Sequence, residues 1–277
     1  MTARFIFLFL VICLVATSGA VDARSIAPRS TPGIDPAACD RMKVRGVLAK
    51  NAPVDCDRLA IVRFTYIDFE GRMHNDGEIM VLAAVADFVK TIFDTLYLRR
   101  FPIARARLMD HYFGDDLASM QDNNTSVFNH RPITGGKLAS MHAYGLAIDL
   151  NPVQNPYLQL HSDGRAVFSP ASGAEYANRS NLRPGKQARP GMAEEVVALF
   201  ADNGFFVWGG DWDAPIDYQH FQTERKMAER MAKLPIAQAR TLFIEHIHHY
   251  QTCLKEQKNR KVAASEARIK CIEIRKN

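Results

Sequence analysis

Between residues 145 and 151 the chain alternates: Leu146, Ile148 and Leu150 point one way, and Ala147, Asp149 and Asn151 the other. A period of two predicts a strand with one greasy face and one small or polar face. A longer apolar run, Leu59 to Phe69, predicts a strand ended by Glu70-Gly71, with a second strand over Glu78 to Leu82 after Asp76-Gly77. Val85, Phe88, Val89, Ile92, Phe93 and Leu96 then recur at helical spacing, which predicts an amphipathic, core-packing helix from about Ala83 to Arg99. Ile103 to Leu108 is expected as a short strand with Arg105 and Arg107 on its polar face.

Further along, Met192 to Asn203 reads as a helix, with Glu194 and Glu195 in its first turn and Gly204 past its end. Phe205 to Trp208 reads as a buried strand, Gly209-Gly210-Asp211-Trp212 as a tight loop, and Gln219 to Gln222 as another strand. Glu224 to Lys233 and Ile236 to Leu254 are predicted helices separated by Pro235, the second carrying one apolar stripe from Ile236 to Leu254. Two stretches lack periodicity. Asp110 to Leu138 is expected to be a long irregular connection, of the kind that is often functional. Asn151 to Pro190 is rich in turn residues and is expected to be loop-rich; such loops could wall a groove, but the sequence does not place them.

Composition adds an address. At 47% hydrophobic and 23% charged residues, disorder is excluded as the main state. Phe5 to Val15, following Arg4, has the form of a secretory signal peptide, with small residues for cleavage at Ser18 and Ala20 or at Val21 and Ala23. The run is short for a membrane span. The expected organisation is a signal peptide over 1–23, a linker and stapled segment over 24–58, a catalytic-type domain over 59–222 and a basic helical extension over 223–277.

Loss of the signal peptide removes Cys13 and leaves Cys39, Cys56, Cys253 and Cys271. An even count in an exported chain predicts disulfides. Three connectivities are open, of which Cys39–Cys56 with Cys253–Cys271 is the simplest. The chain's formal charge is +5, and residues from Gln251 onward, with eight Lys or Arg against three Glu, account for all of it. For an exported protein this tail is suited to an anionic wall or membrane surface, and equally to a solvated helical face; nucleic acid is not expected. As an attachment device, it would be removable without loss of chemistry.

Candidate chemistry concentrates in two motifs. His142, Asp149 and His220 offer two imidazoles and a carboxylate, the residue types of a catalytic zinc site with one position left open. Asp217 is a second carboxylate, beside the last of them. The pattern S-x-H-x-x-G-x-A-x-D over Ser140–Asp149, followed by D-x-x-H over Asp217–His220, resembles the zinc D,D-peptidase family of bacterial cell-wall enzymes. That family takes in VanX- and VanY-type D-alanyl-D-alanine peptidases and endolysins that cut L-alanyl-D-glutamate bonds. The W-G-G-D-W run at Trp208–Trp212 resembles the endolysin-like branch.

The resemblance implies an α+β fold, a small antiparallel sheet carrying a zinc site with flanking helices, hedgehog-like, plus the C-terminal helical extension. It implies one zinc ion per chain held by His142, Asp149 and His220, with Asp217 as general base. It also implies that Arg131 contacts substrate or a developing oxyanion; the other reading of Arg131 is a loop pin to Asp115 or Asp116. Ser140 either orients substrate or forms a turn. The implied function is an exported metallopeptidase acting on peptidoglycan stem peptides. The alternative is a zinc-stabilised, non-catalytic wall- or protein-binding module. His130 is expected to be structural, and His246, His248 and His249 to line a solvated helix face rather than a second metal site.

Overall fold

A computed structural model describes residues 34–133 and 135–273. The expected signal peptide, and the linker as far as residue 33, lie outside the described residues. The first element, helix α1 (Pro36–Val44), has no apolar stripe that the sequence advertised. Its start is set by chemistry instead: the Asp35 carboxylate accepts from Ala37 N–H, and Pro36 fits a first turn where its missing N–H costs nothing. A Cys39–Cys56 disulfide ties α1 to the chain entering the sheet.

Strands β1 (Leu59–Ile67) and β2 (Met73–Leu82) form an antiparallel hairpin, in register from Leu59↔Leu82 to Phe64↔Gly77, with an irregularity between Phe64 and Tyr66. β2 starts five residues earlier than the expected Glu78. The cause is the Asp68 carboxylate, which accepts from Glu70 N–H, Arg72 N–H and the Arg72 guanidinium and so closes the turn tightly enough for Met73 and His74 to pair. Helix α2 (Ala86–Leu98), preceded by one turn of 3-10 helix, buries Val89, Ile92, Phe93 and Leu96 completely. Phe93 stacks on Phe64 of β1 at 4.1 Å. Each such side chain removed from water stabilises the fold by about 1.5–3 kcal/mol.

The stretch expected to be irregular after Asp110 contains helix α3 (Asp116–Gln121), and a two-residue strand, β4 (Asn124–Thr125), beside it. β4 pairs in parallel with β3 (Arg105–Ala106), the surviving part of the strand expected over Ile103–Leu108. β5 (Ala147–Asp149) follows. Hairpin β6 (Tyr157–Leu160) and β7 (Ala166–Ser169) then occupies part of the region expected to be loops. Helix α4 (Val197–Asp202) is shorter than expected because its first turn, Ala193–Glu195, is 3-10. β8 (Val207–Trp208), β9 (Ile216–Asp217) and β10 (His220–Gln222) complete two small sheets, ordered β5-β10-β8 and β7-β6-β9, all antiparallel.

Three helices close the described chain: α5 (Arg225–Lys233), α6 (Ile236–Asn259) and α7 (Ala264–Glu273). They are built into the core and are not a free tail. Phe243 of α6 meets Phe88 of α2 at 5.2 Å, and Arg240 pairs with Asp87 at 2.8 Å. Ala267, Cys271 and Ile272 of α7 are buried, and Cys253–Cys271 staples α7 to α6. Both disulfides thus have the local connectivity. His246 does not line a solvated face as expected; it is buried with its ring 4.8 Å from that of Phe206, while His248 and His249 are exposed.

The result is a mixed helix-and-sheet architecture with small antiparallel sheets. Among the described residues, no helix is long and apolar enough to cross a membrane.

Candidate metal centre

The site is assembled by strand pairing. β5 and β10 pair with His220 directly opposite Asp149, Phe221 opposite Ile148 and Gln222 opposite Ala147. Directly opposed residues in an antiparallel pair project to the same face, so Asp149 and His220, far apart in sequence, become neighbours. The alternation around β5 sends Ile148 and Leu150 into the core and Asp149 to the site.

His142 comes from the 3-10 turn Met141–Tyr144 just before β5. Gly145 ends that turn at φ +66°, a left-handed conformation that glycine adopts freely. Its carbonyl accepts from Leu82 N–H, and a Cβ at this position would stand 2.5 Å from that nitrogen. The glycine therefore docks the His142 turn onto the end of β2.

His142, Asp149 and His220 present one ligand atom each, all within 4.8 Å of one another, and all three are buried. His142 Nε2 lies 3.1 Å from Asp149 Oδ2, and His220 Nδ1 lies 3.0 Å from Asp149 Oδ1. The outer nitrogens are both committed. His142 Nδ1–H donates to the Val127 carbonyl at 2.6 Å, and His220 Nε2–H donates to Gln222 Oε1 at 2.8 Å. With the far nitrogen fixed as a donor to an oxygen, the near nitrogen of each imidazole faces the centre and would give its lone pair to a metal ion in place of a proton.

Whether these residues suit a metal ion is decided by His142 Nε2. It is sealed from solvent and has no hydrogen-bond partner, despite its closeness to Asp149. A buried polar atom without a partner is costly, and a cation bound between it, Asp149 and His220 would satisfy it. The donor set therefore fits a metal ion. Cys39, Asp55 and Cys56 also cluster, but the two cysteines are joined to each other.

Electrostatics follow the geometry. Burial opposes the charge on Asp149, yet the two histidines outweigh it and hold this carboxyl well below the usual range. Burial opposes a charged His220, but Asp149, Asp217 and the bond to Gln222 push it up to about 9.

Asp217 lies at the end of β9, paired with Tyr157 of the hairpin strand β6. Its Oδ1 is sealed from solvent and has no hydrogen-bond partner. Burial, and then the negative charge of Asp149, push its carboxyl up to about 7, with His220 and His142 pulling the other way. The fold thus puts Asp217 within electrostatic reach of all three residues of the metal group. A carboxyl with a proton affinity near neutrality is suited to accept and return a proton.

Arg131 forms an ion pair with Asp116 of α3, as in the loop-pin expectation, and both side chains are half-buried. Burial, and then the charge of Asp217, push the Tyr157 hydroxyl up, while Arg131 pulls it the other way. Ser140 is buried, and its Oγ accepts from His142 N–H at 3.3 Å, a cap on the turn that carries His142. His130 is half-buried and outside the metal group.

Three contributors were not anticipated. Gln222 shares the face of His220 two residues on, and period-two spacing carries that signal. The Val127 carbonyl has no signal, because a backbone acceptor is independent of residue type. Trp212 sets its ring 5.5 Å from that of His220, and Trp208 Nε1–H donates to the Tyr218 carbonyl at 2.8 Å. The W-G-G-D-W run therefore supports the second motif from behind.

The fold and the site define a mixed helix-and-sheet chain with a metal-capable His–Asp–His group buried at a strand pair. Residues 134–223 match the model of a family described as D-alanyl-D-alanine carboxypeptidase. That segment contains Ser140, His142, Asp149, Asp217 and His220, so the resemblance seen in the two motifs holds across it; Arg131 falls just outside. No curated protein and no solved structure matches the chain.

Proposed function

We propose that the protein is an exported zinc metallopeptidase that cleaves peptidoglycan stem peptides, with D-alanyl-D-alanine carboxypeptidase activity favoured over L-alanyl-D-glutamate endopeptidase activity by the description of the matching family. The observation that carries this reading is the buried His142–Asp149–His220 group with the buried Asp217 carboxyl, one oxygen of it without a hydrogen-bond partner, within electrostatic reach of it. A zinc ion there would supply Lewis-acid activation of water and polarisation of the scissile carbonyl.

The chain's own residues do the rest. Val127 and Gln222 hold the two imidazoles in their ligating tautomers. Asp217 accepts a proton during attack and returns it to the leaving amine. A metal with no such base beside it would suffice for a purely structural centre, so Asp217 favours the enzyme over a binding module. Arg131, kept in place by Asp116, supplies positive charge for the substrate carboxylate or the developing oxyanion. Ser140 holds the His142 turn through its Oγ, and the same hydroxyl orients substrate.

Export is supported by the two disulfides, which belong to an oxidising compartment, and by the apolar run at Phe5–Val15. The exposed Lys255, Lys258, Arg260, Lys261 and Lys270 on α6, α7 and the turn between them give an anionic wall a place to bind.

The test is digestion of purified peptidoglycan and soluble stem peptides, with products identified by mass. Loss of a terminal D-alanine supports the carboxypeptidase, and scission after L-alanine the endopeptidase. His142→Ala should abolish both cleavage and tight metal binding. Wild-type protein that binds zinc but cleaves no wall peptide would establish the binding module instead.

A further inference from the structure

We propose that Arg268 is a positioning residue for the metal centre: through Asp211 it holds the loop that carries Trp212 against His220. The C-terminal extension is then part of the site's scaffold. Arg268 lies on α7, outside the segment that matches the peptidase family. Its Nη2 reaches both carboxylate oxygens of Asp211, at 3.0 and 2.8 Å.

The guanidinium side chain is only 11% exposed. Its Nη1 is sealed from solvent with no hydrogen-bond partner among the described residues. What the arrangement achieves is to fix Asp211.

Asp211 ends the short 3-10 turn Gly209–Asp211, and this turn touches the site at two points. Trp212, the next residue, places its ring against that of His220. Gly209 lies so close to the Asp217 carbonyl and Cβ that any side chain there would collide with them. A shift of the turn therefore moves a ligand and the proposed base together, and such centres tolerate displacements of only about 0.5 Å.

The other end of the brace is equally firm. Cys253–Cys271 fastens α7 to α6, and Ala267 and Ile272 anchor it in the core on either side of Arg268. The disulfide thereby fixes the position of the residue that fixes Asp211.

The test compares the full-length variants Arg268→Ala, Arg268→Lys, Asp211→Asn and the double variant Arg268→Ala/Asp211→Asn with wild type. Val89→Ala, in the α2 core and away from α7, serves as a control that lowers stability but leaves the brace and its ion pair intact. The readout is affinity for Zn2+ and Co2+ by chelator competition, well below each variant's Tm, with stem-peptide kcat followed in parallel. The activity arm rests on the proposed peptidase function; the affinity arm does not.

Arg268→Ala and Asp211→Asn should each weaken metal binding by about tenfold, the lower end of the usual effect of an outer-shell partner. The double variant should be no worse than either single one, and Arg268→Lys should recover part of the loss. Val89→Ala should lower Tm and leave affinity unchanged. Wild-type affinity in Arg268→Ala, or an equal loss in Val89→Ala, would overturn the proposal, as would simple addition of the two single losses. Wild type that binds metal but cleaves nothing would sink the peptidase reading and leave the affinity comparison to decide this one.

Discussion

Asp217→Asn should make the metal-free protein more stable while making the loaded enzyme nearly inactive. The carboxyl is pushed from its ordinary 3.8 up to about 7 by burial and by Asp149. In the folded chain it therefore keeps its proton up to about pH 7, whereas the unfolded chain releases it above about pH 4. The unfolded state is the more readily ionised one, so metal-free stability falls as pH rises between those two values and is lowest above the upper one. At about 1.4 kcal/mol for each tenfold change in proton affinity, the full penalty is roughly 4 kcal/mol. Asparagine keeps the shape and cannot ionise, so it removes the penalty.

Urea unfolding of chelator-treated wild type and Asp217→Asn is the assay. The variant should gain about 2 kcal/mol more at pH ~8 than at pH ~5.5. With metal restored, turnover of a stem peptide should fall at least about a hundredfold, the scale of a lost general base. A stability difference independent of pH, or a less stable variant, would refute the picture of an uncompensated carboxylate. Loss of metal from Asp217→Asn would mean that Asp217 orients His220 rather than moving a proton.

Two further outcomes can be checked. Gln222→Leu removes the acceptor for His220 Nε2–H and should weaken metal binding by about tenfold or more without unfolding the chain, measured by chelator competition. Removing residues 252–277 deletes α7 with its disulfide, about 3 kcal/mol, and the burial of Ile272, about 2 kcal/mol. Thermal scans should show Tm lower by about 10–20 °C, and small-peptide cleavage should fall with it; unchanged Tm and cleavage would make the extension a dispensable attachment device after all.

The sequence by itself determined the elements whose signal is local. The six apolar positions from Val85 to Leu96 repeat at the helical period and make α2 legible. The alternation around Asp149 made β5 legible, together with the face its carboxylate would use. The two motifs put His142, Asp149, Asp217 and His220 forward because, residue for residue, they resemble those of the zinc D,D-peptidase family. An even cysteine count announced disulfides, though not their partners.

Only the tertiary structure decided the rest. The register that sets His220 opposite Asp149 is a long-range pairing, and no local pattern encodes which strands meet. The Val127 carbonyl that orients His142 is a backbone atom common to every residue type. Hairpin β6–β7, which fixes Asp217 through Tyr157, is built from a stretch whose many turn residues masked its two short strands. Helix α1 is held by a cap and a disulfide rather than by an apolar stripe, so periodicity could not find it. The basic tail looked like a solvated surface because most of its charges do face solvent. Arg268, buried on Asp211 57 residues away, differs from its neighbours only in what the fold brings to meet it.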